Sequence, residues 1–229
     1  MKTLAIFGDS YARKDASDIN EKSWPEFLAG YDVTNFGDPG TDLWFSYNLF
    51  LKNHLKFDNV IFLITAPHRL TLTNTTIKIY PNQNYTTASI KLESATGVEH
   101  KQYKVIVDYY NLIHNNEKEE QLHRLMIDSI KQIRTDAIVY PCFDNIWSTE
   151  TPLYTITEFE DNLLGLDNNT RNNFYRKGIR DSRACHMTEA NNKVVAEFFL
   201  SRLNGTELPL GQLVEPANNL NYYYQSSWH

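Results

Sequence analysis

The chain has 229 residues with 41% hydrophobic and 22% charged residues, which fits one compact soluble domain with a sizeable core. A formal charge of −6 argues against a general nucleic-acid binder, which needs a basic face to release counterions, and disfavours an anionic membrane surface as partner, while leaving room for a local basic pocket. Two cysteines, Cys142 and Cys185, are too few for a disulfide framework, and seven scattered histidines without HxxxH or HExxH spacing argue against a metal site.

Four short apolar runs recur between helical stretches, the pattern of a parallel sheet covered on both faces. The first is Leu4 to Phe7. It follows Lys2 as a signal peptide would, but stops far short of a signal core of ~7–15 apolar residues and reads as a buried strand. The second, third and fourth runs are Val33 to Phe36, Val60 to Ile64 and Ala137 to Tyr140, each expected as a central strand. No run approaches the roughly 20 apolar residues of a membrane span. A cytoplasmic protein with two reduced thiols is the expectation.

Helices are expected between these strands. Thr41 can cap a helix running to about Asn53, with Trp44, Tyr47 and Leu51 on one face. Asn116 and Glu119 form a capping pair ahead of an apolar stripe of Leu122, Leu125, Met126, Ile130 and Ile133. The last helix starts near Thr188, carries Val194, Val195, Phe198, Phe199 and Leu203, and stops at Gly205. Between the third strand and the Asn116 helix lies an insertion of about residues 66–115, far longer than the ~2–6 residues of an ordinary connection. Within it Thr76–Tyr80 and Ser89–Leu92 alternate in the strand manner and predict a β-hairpin or small cap. The tail, 206–229, is rich in Asn, Tyr and Pro and is expected to pack on the domain or on another subunit.

Three segments can carry chemistry. Phe7-Gly-Asp-Ser-Tyr-Ala12 directly follows the first strand, where an open parallel sheet presents its ligands. Asn35-Phe-Gly-Asp-Pro-Gly40-Thr-Asp42 follows the second, and the Gly40 N–H can donate to an anionic centre without side-chain obstruction. Asp181-Ser-Arg-Ala-Cys-His186-Met-Thr188 precedes the final helix and offers a general base with a carboxylate upstream. Each has a plainer reading, as a capped turn, a tight strand-to-helix turn and a surface loop respectively.

In their order and placement these segments resemble the SGNH/GDSL hydrolase superfamily, over residues 3 to about 203. Gly8-Asp9-Ser10 resembles the block that carries the nucleophilic serine. Asn35 to Gly40 resembles the block whose glycine N–H joins the oxyanion hole, and His186 resembles the catalytic histidine. The resemblance implies a flavodoxin-like three-layer αβα sandwich built as one hydrolase domain over 1–205, with no metal or organic cofactor. It implies a serine esterase or deacetylase acting on a small acyl ester, such as an acylated saccharide. Ser10 is then nucleophile and oxyanion donor, Gly40 a second donor, His186 the base and Asp181 the acid. It extends to proteins carried by bacteriophages, which implies virion association as an alternative to the cytoplasm.

Two departures stand out. The family's third block supplies an asparagine in a Gly-x-Asn-Asp context, whereas this strand ends Ile64-Thr-Ala-Pro-His-Arg69. Thr65, His68 or Arg69 substitutes as donor, or the third donor is missing, at a cost of ~3 kcal/mol in transition-state stabilisation. The family's acid stands three residues before the histidine. Here Arg183 holds that place and Asp181 lies five before.

The principal rival is a catalytically silent module of the same fold, binding carbohydrate or serving a structural role. A nucleotide-binding domain lacks the several glycines of its phosphate loop, and an α/β-hydrolase lacks its GxSxG elbow. Cys185 is adjacent to His186, and neighbouring residues seldom face each other, which disfavours a cysteine nucleophile.

Overall fold

The computed structural model describes residues 1–13, 22–67, 93, 96–143, 150, 153, 189–206 and 210. Four parallel strands, β1 (Lys2–Phe7), β2 (Tyr31–Asn35), β3 (Asn59–Ile64) and β4 (Ile138–Pro141), form one sheet in the order β2-β1-β3-β4. This is the doubly wound, flavodoxin-like order, in which the chain reverses its direction of travel between β1 and β3. Helices α1 (Leu43–Asn53), α2 (Gly97–Leu112), α3 (Asn116–Ile133) and α4 (Glu189–Leu203) complete the described elements, with short 3-10 turns at Trp24–Phe27 and His54–Lys56. Among the described residues no helix is long and apolar enough to cross a membrane.

Strand alternation divides the core into two. Leu4, Ile6, Ile61 and Leu63 point to one face and pack with Trp24 and with Val195, Phe198 and Phe199 of α4. Ala5, Phe7, Val60, Phe62 and Ile64 point to the other, against Leu43 and Phe50 of α1 and Ile127 and Ile130 of α3. Helices therefore cover both faces, which makes the molecule a three-layer α/β/α sandwich. Both clusters are rich in rings: Trp24 lies 4.6 Å from Phe199 between centroids, and Phe7 stacks on Phe36 at 4.8 Å.

The expected strands are found within two residues of their ends, but among the described residues both β2 and β4 are outer strands of the sheet. β2 lies at the sheet's edge, with Asp32 and Thr34 exposed and Tyr31, Val33 and Asn35 half-buried, so it is not a central strand. Helix details also shift. The cap of α1 is Asp42, whose carboxylate accepts the Phe45 N–H at 2.8 Å, while the Thr41 hydroxyl donates to the Asp38 carbonyl at 2.8 Å. The buried face of α1 is Leu43, Ser46 and Phe50; Trp44 and Leu51 face outward at 60% and 42% exposure. Asn115 rather than Asn116 caps α3, accepting the Lys118 N–H, and Glu119 takes the Tyr109 hydroxyl instead of closing a capping box. On α3, Ile127 and Ile130 are buried with Met126 packed beside them, whereas Leu122, Leu125 and Ile133 are exposed.

The insertion contains α2, sixteen residues of helix that the strand-like alternation did not foretell, with Tyr103 and Ile106 buried. The hairpin segments Thr76–Tyr80 and Ser89–Leu92 lie outside the described residues, as does nearly all of the tail. The final helix agrees with expectation: Val195, Phe198 and Phe199 are buried, and Gly205 follows with φ +76°.

At the amino edge of the sheet, Arg134 binds the turn before β4 to the connection that leads into β3. Its Nη1 donates to the carbonyls of His54 (2.7 Å) and Phe57 (3.1 Å), its Nη2 to that of Asp58 (3.0 Å), and Asp136 holds Nε at 2.8 Å. Asp58 in turn accepts the N–H and hydroxyl of Thr3. This end is a structural tie, and it leaves the carboxyl edge for chemistry.

Candidate active site

Ser10 occupies a tight turn immediately beyond β1, at the carboxyl edge and next to the reversal between β1 and β3. A crevice opens at such a reversal because the connections on either side leave toward opposite faces. The turn is built locally. Ala12 and Arg13 donate their N–H groups to the carbonyls of Asp9 and Ser10, at 3.0 and 3.3 Å, and the Tyr11 N–H donates to Asp9 Oδ1 at 3.0 Å. Gly8 permits close approach to β3, since a Cβ there would stand 2.8 Å from Leu63 Cβ. Ser10 itself is partly exposed while Phe7, Asp9, Tyr11 and Ala12 around it are buried.

The loop after β2 is docked onto this turn. Asp38 donates its N–H to the Gly8 carbonyl at 3.3 Å, and Asn35 Nδ2 donates to the Ala12 carbonyl. Asn35 Oδ1 also accepts the Gly37 N–H at 3.0 Å, so one amide side chain braces both loops. Gly37 is required by space: a Cβ would come within 2.7 Å of the Ala12 carbonyl carbon and the Arg13 nitrogen. Gly40 is buried with φ +80°, a left-handed conformation that other residues adopt only with strain. Ser10 and Gly40 thus belong to two loops joined by hydrogen bonds at one rim.

Thr65, the first residue beyond β3, is also at this rim and buried. Its hydroxyl donates to Asp9 Oδ2 at 2.8 Å. A threonine hydroxyl carries one hydrogen, which here is committed to the carboxyl group and not directed at an acyl oxygen. Cys142, just past β4, brings its sulfur to 3.9 Å from Asp9 Oδ1. His68, Arg69, Asp181 and His186 lie outside the described residues.

The amino terminus of α4 reaches the same turn through Trp24. The indole Nε1 donates to the Tyr11 carbonyl at 2.6 Å, and the Trp24 N–H donates to Asn192 Oδ1 at 3.0 Å. Lys22 adds a longer N–H bond to Glu189 Oε2 at 3.4 Å. The first turn of α4 is therefore tied, through one tryptophan, to the residue following Ser10.

Asp9, Trp24 and Asn35 are site-building residues that sequence reasoning did not single out for these roles. Asp9 and Asn35 lay inside the motifs already noted, where an aspartate beside a serine reads as a turn cap. Trp24 gave no local signal. Among the described residues no group of three or more His, Cys, Asp or Glu side chains is arranged to hold a metal ion.

No family model and no curated protein matches the sequence. Among solved structures, the chain is similar to a protein from Desulfitobacterium hafniense DCB-2 described as lipolytic and of the G-D-S-L family, at 15% identity and a TM-score of 0.37 over 88% of this chain and 99% of that one. It is also similar to the lipase/acylhydrolase from Enterococcus faecalis, at 12% identity and a TM-score of 0.39 over 91% of this chain and 98% of that one. Likeness at this level carries no argument about activity, which has to come from the residues themselves.

Proposed function

We propose that the chain is a serine ester hydrolase of the SGNH/GDSL type, with Ser10 as nucleophile, His186 as general base and Asp181 as the acid that orients it. The observation that carries the reading is the Trp24 bridge. Ser10 stands at the carboxyl edge of β1, and the start of α4 is hydrogen-bonded through Trp24 to Tyr11, the next residue. His186 precedes Glu189 by three residues, a span of at most roughly 11 Å of chain. A tether of that length supports the assignment of His186 as the base.

The chemistry follows from the residue types. His186 takes the Ser10 hydroxyl proton as the oxygen attacks an ester carbonyl. The N–H groups of Ser10 and Gly40 hold the developing oxyanion. The imidazolium then gives its proton to the departing alcohol, leaving an acyl-serine. Water, deprotonated by the same histidine, releases the acid and restores the serine. His68 and Arg69 remain the candidates for a third oxyanion donor, since Thr65 commits its hydrogen to Asp9. No cofactor is needed for these steps. An acylated saccharide is the proposed substrate.

Ser10→Ala should abolish turnover of a small ester such as p-nitrophenyl acetate while leaving the circular dichroism spectrum and melting temperature unchanged. Undiminished turnover in that variant ends the proposal.

One observation favours a second reading, a catalytically silent module of the same fold. Where the family's third block would supply an asparagine, this chain has Thr65, already engaged. A fluorophosphonate probe separates the two: an active site labels Ser10, and a silent one leaves it unmodified.

A further inference from the structure

Asp9 has no exposed surface, and a buried carboxyl group is stable only when donors surround it. Three described segments contribute contacts to it. Tyr11 N–H serves Oδ1 from within the turn, the Thr65 hydroxyl serves Oδ2 from the end of β3, and the Cys142 sulfur stands 3.9 Å from Oδ1 beyond β4. Of these, the thiol contact is long and the Tyr11 contact is local. Thr65 ties the carboxyl group to the end of β3 through a short hydrogen bond of 2.8 Å.

The consequence falls on Ser10. Asp9 precedes it, so fixing the Asp9 side chain fixes the peptide that leads into Ser10. The Tyr11 N–H, on the other side, is held by the same carboxyl group, and the Tyr11 carbonyl by the Trp24 indole. Both peptide bonds flanking Ser10 are thus anchored, and Thr65 is part of that anchor.

We infer that Thr65 is a positioning residue for the nucleophile, acting through Asp9 to hold the Ser10 hydroxyl and N–H in attacking geometry. The inference rests on the reading of Ser10 as nucleophile. It gives Thr65 a role different from that of an oxyanion donor: it supports the serine and does not touch the acyl group. A nucleophile displaced by about 1 Å can lose on the order of a hundredfold in rate with little change in substrate binding.

The test compares wild type, Thr65→Val and Thr65→Ser by fluorophosphonate labelling at Ser10 and by p-nitrophenyl acetate kinetics, well below each variant's melting temperature. Valine keeps the shape and removes the donor, and is expected to lower the labelling rate and kcat by about ten- to a hundredfold while KM stays within about threefold. Serine restores the donor and is expected to recover most of the rate. Should Thr65→Val fail to fold, Asp9→Asn carries the test, since it keeps the volume and weakens both hydrogen bonds; several-fold slower labelling is expected. If wild type does not label at Ser10, the nucleophile assignment fails. If wild type labels there and the valine variant, or the asparagine variant in its place, labels at the wild-type rate, the nucleophile stands and the positioning role is overturned. A valine variant that melts lower but turns over normally also overturns it.

Discussion

A Cβ at position 37 would stand 2.7 Å from two backbone atoms of the serine turn, closer than real contacts allow. Gly37→Ala should therefore push the loop after β2 away from Ala12 and lower esterase activity by tenfold or more, with a stability loss of about 1–3 kcal/mol typical of overpacking. Wild-type activity in this variant would show that the two loops need not dock. A different residue-scale effect belongs to His54, buried and stacked on Phe50 at 4.6 Å, with no hydrogen-bond partner for its Nδ1 among the described residues. Burial, and then the nearby Arg134 charge, hold its imidazole below the ordinary histidine pKa. The unfolded chain therefore takes up this proton first as pH falls through ~6.5. Stability contributed by the neutral ring is present above that value and is lost as pH falls toward the folded-state pKa. Urea midpoints at pH 7.5 and 5.5 should differ more in wild type than in His54→Phe, which keeps the stack without the titrating group.

At the scale of elements, helix ends and sheet edges decide which side chains matter. Asp42 caps α1 just beyond Gly40, so Asp42→Ala should cost about 1 kcal/mol in chemical denaturation. Arg134 is worth more, because its largely buried guanidinium serves carbonyls of His54, Phe57 and Asp58 on the way into β3. Arg134→Met should destabilise by about 2–4 kcal/mol, since hydrogen bonds to charged groups contribute more than neutral ones. Esterase activity of the folded fraction should be unchanged, because this tie sits at the edge opposite Ser10. The strands were readable because buried parallel strands are apolar runs that little else imitates. Faces of helices were less so: Trp44 and Leu51 fit an apolar stripe as well as Leu43 and Phe50 do, and the choice depends on which side meets the sheet. In α2, buried Tyr103 and Ile106 alternate with the exposed Val105, which blurs the helical period.

For the whole molecule, the residue types of the site were visible in the sequence. Glycine, aspartate and serine after one apolar run, and glycines after the next, are local signals that chain order alone can place at strand ends. Their meeting at one rim was not. It follows from the order β2-β1-β3-β4, which sets the β1 and β2 loops side by side and brings Thr65 from β3 to Asp9. Nor did Thr65's local sequence say whether its hydroxyl faced the crevice or the Asp9 carboxyl group. Trp24 reaches Tyr11 with its indole and Asn192 with its backbone across separations of 13 and 168 residues. Such pairings leave no trace in local composition. The sequence by itself determined that this is an alternating α/β protein with a candidate nucleophile after its first strand. Tertiary structure decided which strands became outer ones, which helix faces were buried and what holds the serine. Those choices depend on long-range packing, where each partner is specified only by the presence of the other.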